Sequence, residues 1–169
     1  MALWIGIVSY DASAKLWLAA SGHYLDNPPP GCLFAVGVRE TAPVLFDDMP
    51  VPVGSLLGLC LVGRPIARAL PQDGTVGEIT RMVLLAGLPY ATASEVLRYC
   101  ARVAGKRGMA SLIAYHDRTR HTGCIYKKAG FRKDGVTTPH RTGWASRSRP
   151  RSETVGQTSK RRWRLEVTA

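Results

Sequence analysis

Three charged residues in the middle of the 169-residue chain could perform acid–base chemistry. Asp117 ends an apolar stretch that is typical of a strand, and a carboxylate there can face a cleft and accept a proton from an amine. Glu78 and Arg81 lie three residues apart on another predicted strand, so we expect them on opposite faces of the sheet. Asp117 and Glu78 are therefore candidate bases and Arg81 a candidate charge stabiliser, although buried charges also form structural ion pairs.

Histidine and cysteine spacing gives little support for a metal site. His116 and His121 flank Asp117, which makes a His, Asp, His site conceivable, but the spacing matches no specific metal-ligand pattern. The four cysteines are widely spaced and form no CxxC pair. We therefore predict no metal and reduced thiols in a cytoplasm.

The elements that must position these residues alternate between strands and helices. Apolar segments bounded by Pro and Gly predict the strands, and apolar residues at helical spacing predict the helices. Because a long helix lies between two predicted strands, we expect parallel pairing in the middle of the sheet. The predicted helices are Ser9–Gly22, one starting at Thr92 and Gly123–Ala129; the predicted strands are Cys32–Arg39, Val53–Gly63, Gly77–Leu85, Ala110–Tyr115, one starting at Phe131, and Arg161–Val167.

The long helix carries the clearest local signal. Thr92 and Glu95 fit a capping box, in which the Thr92 side chain accepts from the Glu95 backbone and Glu95 reaches back. Residues 40–52 are turn-rich, and a loop stiffened by three prolines follows His23 and Tyr24.

The segment Ile125-Tyr126-Lys127-Lys128-Ala129-Gly130-Phe131 resembles the short-helix motif of the GNAT acyltransferase superfamily. This resemblance implies that Tyr126 protonates a departing thiolate. It also implies that the helix start binds the pyrophosphate of acetyl-CoA or a related acyl donor through Thr92, Ala93, Ser94 and Glu95. GNAT loops usually carry glycines at this point, and Leu88–Ala93 has none.

A second resemblance, to the phage Mom-type DNA-modification family, extends over about residues 23–135 and into the tail. It implies transfer of an acyl-derived group to an amine of a DNA base, with adenine N6 as the first choice, which protects DNA from restriction in the cytoplasm of a bacterial host cell. It also places His23, Tyr24 and His121 near the acceptor. The motifs that carry it are His23-Tyr24, Phe34-Ala35-Val36-Gly37, Arg64-Pro65-Ile66-Ala67-Arg68, Glu78-Ile79-Thr80-Arg81, Ser94, Tyr115-His116-Asp117, His121-Thr122-Gly123-Cys124-Ile125-Tyr126, Gly143-Trp144 and Lys160-Arg161-Arg162-Trp163.

The charge distribution is strongly asymmetric. Residues 1–117 hold nine basic and nine acidic residues, so the net charge of +11 comes entirely from residues 118–169. Clustered arginines with interleaved tryptophans are typical of nucleic-acid binding, although a solubilising tail has the same composition. The candidate DNA-binding residues are Arg118, Arg120, His121, Arg141, Trp144, Arg147, Arg149, Arg151, Lys160 and Arg161.

Together these patterns predict an α/β (α+β), GNAT-like domain with a central mixed, twisted sheet and helices on both faces. Residues 1–139 form the catalytic part, and residues 140–169 form a basic extension of the same domain that closes the sheet with a last strand. The predicted function is DNA base modification with DNA and an acyl donor as partners and no membrane. Two alternatives stay open: a conventional GNAT N-acetyltransferase of small-molecule or protein amines, and a non-catalytic nucleic-acid-binding module.

Overall fold

A computed structural model describes residues 2–22, 28–42, 44–46, 49–51, 53–137 and 158–167. These residues form three helices and nine strands. The helices are α1 (Ala12–Ala20), α2 (Thr92–Lys106) and α3 (Cys124–Lys128); the strands are β1 (Leu3–Val8), β2 (Phe34–Glu40), β3 (Val44–Phe46), β4 (Met49–Val51), β5 (Leu56–Gly63), β6 (Val76–Leu84), β7 (Ser111–Asp117), β8 (Arg132–Val136) and β9 (Lys160–Glu166).

Seven strands form one mixed sheet in the order β1-β2-β5-β6-β7-β9-β8, and β3 and β4 form a separate hairpin. β6 and β7 pair in parallel because α2 carries the chain back across the sheet between them. The remaining pairs of the large sheet are antiparallel. The predicted parallel pairing and the mixed sheet are therefore confirmed.

Helices cover both faces of the sheet, as the sequence predicts. On one face, Leu18 of α1 packs with Leu59 and Leu61 of β5. On the other, Leu97 of α2 packs in the larger core with strand residues such as Val62. Since β2 and β5 are covered on both sides, they are apolar almost throughout rather than alternating.

Two features of the strands were not predicted from the sequence. The apolar N-terminus forms strand β1, which the sequence analysis did not predict, and the turn-rich residues 40–52 contain the β3–β4 hairpin. The predicted last strand is present as β9. It inserts between β7 and β8, so the basic extension supplies an interior strand. Within the described residues, no helix has both the length and the apolar composition needed to cross a membrane.

The capping box predicted at the start of α2 is wrong. Ala91 is the residue that precedes the helix, no side chain caps it, and the Glu95 amide donates to the Ala91 carbonyl at 3.1 Å. Thr92 is already inside the helix and buried. A side-chain cap is present instead on α1, where the Asp11 carboxylate accepts from the Ala14 amide at 3.0 Å.

We predict that Asp11→Ala lowers the free energy of unfolding by about 1 kcal/mol, because an amide of the first helical turn loses its acceptor. Asp11→Ser keeps an acceptor oxygen at the same position and should recover most of this loss. Urea unfolding followed by circular dichroism measures both variants. Equal destabilisation by Ala and Ser would contradict a capping role.

Candidate active site

The site forms where β6 and β7 separate. Their parallel pairing runs from Val76 opposite Ser111 to Ile79 opposite Ala114 and then stops, although β6 continues to Leu84 and β7 to Asp117. A cavity of about 200 Å³ lies between the diverging ends. Its walls come from β6, the end of β7 and the start of α3: Ile79, Thr80, Arg81, Met82, Tyr115, His116, His121, Thr122, Gly123, Cys124, Ile125 and Tyr126.

A β-bulge in β6 changes which side chains face the cavity. Ile79 pairs with Val62 and Arg81 pairs with Leu61, so Thr80 is an extra residue in the strand. This extra residue shifts the alternation of side chains by one position. Glu78 before the bulge and Arg81 after it therefore lie on the same face of the sheet, although they are three residues apart. The expectation that they face opposite sides is therefore wrong, because it assumed an uninterrupted strand.

Glu78 and Arg81 lie on the face of the sheet that α1 covers. The Glu78 carboxylate is buried and accepts from the Ile66 amide at 2.8 Å. Burial raises the pKa of Glu78, and the Ile66 amide, Lys160 and Arg81 reduce that effect. Arg81 is half-buried, lines the cavity and donates from Nη1 to the Thr80 carbonyl at 2.7 Å. Glu78 is thus a carboxylate that binds a proton more tightly than an exposed glutamate does.

Asp117 has the opposite environment. It accepts from the Thr119 amide at 2.8 Å, the Thr119 hydroxyl at 2.6 Å and the Thr158 hydroxyl at 2.8 Å, and Arg120 lies 3.8 Å away. Burial alone would raise the pKa of Asp117, but these hydrogen bonds and Arg120 outweigh it and lower the pKa to about 2. Both carboxylate oxygens are engaged, so Asp117 has little affinity for a proton at neutral pH.

Tyr126 lies on α3 in an aromatic cluster below the cavity. Its ring stacks on His116 with centroids 6.0 Å apart and on Trp163 at 5.7 Å, and meets Phe131 edge-on at 5.8 Å. Tyr126 is 7% exposed and lines the cavity. The cluster fixes the ring while leaving it in contact with the cavity.

The four predicted donor-binding residues lie in the first turn of α2. Thr92 and Ser94 are buried, Ala93 is half-buried and Glu95 is exposed. The Ser94 hydroxyl donates to the Ala91 carbonyl at 2.9 Å, so its hydrogen bond is made within the first turn of the helix. In the preceding loop, the Tyr90 ring lies 4.1 Å below the Lys128 ammonium, which brings positive charge from α3 beside the start of α2.

Cys124 is a partly exposed thiol at the start of α3 that also lines the cavity. Its sulfur lies 3.4 Å from the Tyr90 hydroxyl. The Thr122 and Tyr90 hydroxyls lower the pKa of Cys124, burial acts against them, and Lys128 adds a smaller lowering effect. The α2 loop and α3 are thus joined by polar contacts at the cavity mouth.

The predicted DNA-binding residues fall into two groups. Arg118, Arg120 and His121 are exposed in the turn after β7, and Lys160 and Arg161 are half-buried on β9 beside it. The remaining predicted residues lie outside the described part of the chain: His23, Tyr24, Arg141, Trp144, Arg147, Arg149 and Arg151.

No protein-family model matches the sequence, and no curated protein matches it. Solved structures do match over almost the whole chain. An IAA acetyltransferase from Bacillus cereus is 14% identical with a TM-score of 0.63, covering 98% of this chain and 100% of its own. A GNAT family acetyltransferase from Elizabethkingia anophelis with acetyl-CoA bound is also 14% identical, with a TM-score of 0.63 and 98% of each chain covered.

This chain has the GNAT fold. A further match is a Bacillus subtilis acetyltransferase in complex with CoA, which is 12% identical with a TM-score of 0.59 and covers 98% of this chain and 99% of its own. At identities of 12–14%, the likeness shows the fold alone. The solved structures named above show the fold and do not show the Mom-type relationship.

Several residues around the cavity of this GNAT fold were not placed there by the sequence analysis. Tyr115 and Cys124 line the cavity, and Trp163 of β9 reaches the same cluster as Tyr126. Alternation along the strand that contains His116 could have indicated that this histidine faces the core. Alternation in Arg161–Val167 gave the same signal for Trp163, but its contact with His116 depends on where β9 enters the sheet.

We predict that Asp117→Asn lowers the free energy of unfolding at pH 7 by roughly 1–2 kcal/mol, because the buried side chain loses the charge that its hydrogen bonds from Thr119 and Thr158 stabilise. The folded pKa of about 2 lies below the unfolded value of 3.8. The carboxylate therefore stabilises the fold fully above about pH 4 and loses this effect as the pH falls towards 2. Urea unfolding of both proteins between pH 3 and 7 should show the difference shrinking with acid.

Asp73→Asn is the matched control. Asp73 accepts from the Thr75 amide and hydroxyl in the same pattern, but it is exposed, so water can replace the lost contacts. Asp73→Asn should therefore lower the free energy of unfolding clearly less than Asp117→Asn does. Unchanged stability of Asp117→Asn together with loss of activity would contradict the structural role and restore Asp117 as the candidate base.

Proposed function

We propose that this protein is an N-acyltransferase that moves an acyl group from a coenzyme A thioester to an amine. The observation that carries the proposal is the cavity between the diverging ends of β6 and β7, which contains a tyrosine and an arginine and lies in a GNAT fold. Side chains from both faces of the sheet, such as Tyr115 and His116, line it. Two reactants can therefore approach one point from opposite sides.

The start of α2 is the proposed anchor for acetyl-CoA or a related acyl donor, through Thr92, Ala93, Ser94 and Glu95. Helix N-termini attract phosphate groups, and here no side chain caps the helix. Lys128 adds positive charge beside the adjoining loop, whereas Glu95 adds negative charge in the first turn. Two similar solved structures hold CoA and acetyl-CoA, which supports the same class of donor here.

The acid–base roles follow from the environments of the titratable groups. Glu78 precedes the cavity-lining residue Ile79 on β6 and does not itself line the cavity, so it would accept the proton through a water. It is the proposed base because burial raises its pKa, whereas the pKa of about 2 makes Asp117 unsuited to accept a proton. Tyr126 is the proposed acid that protonates the leaving thiolate. Arg81 lines the cavity and would stabilise negative charge there.

We predict that Tyr126→Phe lowers kcat about 100-fold, because it removes the proton donor and keeps the aromatic ring in its cluster. Release of free CoA from acetyl-CoA in the presence of a panel of small amines and peptides provides the assay. CoA binding, measured by calorimetry, should change little.

Tyr99→Phe on α2 is the control, since Tyr99 is absent from the cavity wall and stacks with Arg102. It should retain wild-type kcat. If Tyr126→Phe retained wild-type kcat as well, the acid role of Tyr126 would be wrong. If the wild-type protein bound no CoA and released none, the acyltransferase proposal would fail.

A second candidate acceptor is an amine of a DNA base, with adenine N6 as the first choice and protection from restriction as the consequence. The observation that favours it is the concentration of the whole +11 net charge in residues 118–169. Arg118, Arg120 and His121 are exposed next to the cavity, on the turn that follows β7. Such a surface would bring a polyanion to the site, and a duplex base would have to leave the stack to enter it.

We predict, for this second candidate, that Arg118→Ala weakens DNA binding uniformly across sequences and reduces the slope of log K against log salt by about 1. Arg68→Ala is the control, because Arg68 is exposed but lies in the part of the chain with no net charge.

Mass spectrometry of nucleosides from cells expressing the protein should show an added mass. Equal salt slopes and an unmodified nucleoside profile would leave small-molecule or protein amines as the acceptors. DNA binding without any added mass and without CoA release would indicate a non-catalytic nucleic-acid-binding module.

A further inference from the structure

His116 is a buried histidine that the roles above do not use. It lies on β7 on the same face as Leu112 and Ala114, which pack in the α2 core. Its side chain is 5% exposed and lines the cavity together with Arg81 and Tyr126. A histidine in such a position is ordinarily considered as a general base.

The hydrogen bond to Trp163 determines what His116 can do. The Trp163 indole Nε1–H donates to His116 Nδ1 at 2.6 Å. Indole nitrogen can only donate, so Nδ1 must present a lone pair. A neutral imidazole whose Nδ1 accepts carries its proton on Nε2. Protonating the ring would place an N–H at Nδ1 directly against the indole N–H, which would break the bond.

Packing keeps the ring in this orientation. His116 lies between Tyr126, whose ring is nearly parallel at 16°, and Trp163 at a centroid distance of 5.8 Å. Gly123 closes a third side. A Cβ at that position would lie 2.6 Å from His116 Cε1, and the φ of Gly123 is +77°. Only glycine can therefore stand beside the ring, which leaves it little room to rotate.

Charges around the ring favour the neutral form. Burial lowers the pKa of His116, and His121, Arg161 and Arg118 act in the same direction. Asp117, the next residue, acts in the opposite direction but is already committed to Thr119 and Thr158. The ring is thus surrounded mainly by groups that disfavour a second positive charge.

We propose that His116 is a neutral hydrogen-bond donor, locked in its Nε2–H form by Trp163, which stabilises the oxyanion of acyl transfer in the cavity. Nδ1 faces the indole and Cε1 faces Gly123, while Nε2 makes no hydrogen bond with the described part of the chain. Nε2–H is therefore the group that the ring can offer to a bound carbonyl oxygen. This inference rests on the proposed acyltransferase function.

The step balances without transferring a proton from His116. The amine nitrogen forms a bond to the thioester carbon and gives up one proton to Glu78, and the carbonyl π electrons move onto oxygen, which accepts the Nε2–H hydrogen bond. When the C–S bond breaks, the electrons return to form the amide carbonyl, and the thiolate takes its proton from Tyr126. The proton held by Glu78 then returns through solvent to Tyr126, which restores both groups. A donor aimed at the oxyanion contributes about 10²–10³ in rate in other enzymes. Trp163 acts through His116 and is a positioning residue.

Histidine ¹⁵N NMR tests the tautomer without any assay of activity. Of the four histidines, the signal lost in His116→Gln identifies the ring. We expect the Nε2–H tautomer for it at pH 7, with a pKa below the usual value of a histidine. A protonated ring or an Nδ1–H tautomer at pH 7 would overturn the proposal, whatever the enzyme does.

Kinetics test the donor role. His116→Phe fills the space without a donor and should lower kcat about 100-fold with CoA binding unchanged. His116→Gln keeps an N–H donor on a side chain of similar reach and should lose less than tenfold. Retention of wild-type kcat by His116→Phe would overturn the proposal, as would equal losses in the two variants.

The positioning role of Trp163 has its own signature. Trp163→Phe should let the ring populate the Nδ1–H tautomer and titrate, so that kcat gains a dependence on pH near 6–7. Trp4→Phe, on edge strand β1, removes an indole elsewhere and should leave both the tautomer of His116 and the pH dependence of kcat unchanged. If the wild-type protein transferred no acyl group while the tautomer was as expected, the proposed function would fail and the oxyanion role with it, whereas the locking of His116 by Trp163 would stand.

Discussion

The separation of β6 from β7 is the constraint on which the rest of the site depends. Four residue pairs, ending at Ile79 and Ala114, hold the parallel strands together, and then both strands continue without pairing with each other. The strands cannot separate in the middle of a sheet unless their outer neighbours hold them. β5 holds β6 up to Leu84, and β9 holds β7 up to Asp117. The cavity is therefore a gap that two antiparallel ladders keep open.

The bulge at Thr80 and the turn after Asp117 adapt the two sides of this gap. The bulge brings Glu78 and Arg81 to one face, where burial raises the pKa of the carboxylate. Asp117, at the end of β7, is held by Thr119 and Thr158, so its charge stabilises the turn. The two carboxylates look equivalent in the sequence, but their surroundings raise the pKa of Glu78 and lower the pKa of Asp117.

The C-terminal strand has a role that its basic composition conceals. β9 lies between β7 and β8, and Trp163 on it reaches both Tyr126 and His116. The alternation of the strand separates two functions: Trp163 faces the core, while Arg162 and Arg164 lie on the opposite face and pair with Asp134. The region that carries the net positive charge is for that reason also part of the frame of the cavity.

The sequence by itself determined the α/β class, the parallel pairing around a long helix, the position of Tyr126 on a short helix and the concentration of charge after residue 117. Each of these depends on local patterns: periodicity, Gly and Pro positions, and composition. The tertiary structure decided what such patterns do not encode. The bulge reversed the expected relation of Glu78 to Arg81, a hydrogen bond from Thr158 engaged Asp117, and the insertion of β9 placed Trp163 against His116. Side chains up to 47 residues apart in sequence set these contacts, so they depend on strand order and register rather than on neighbouring residues.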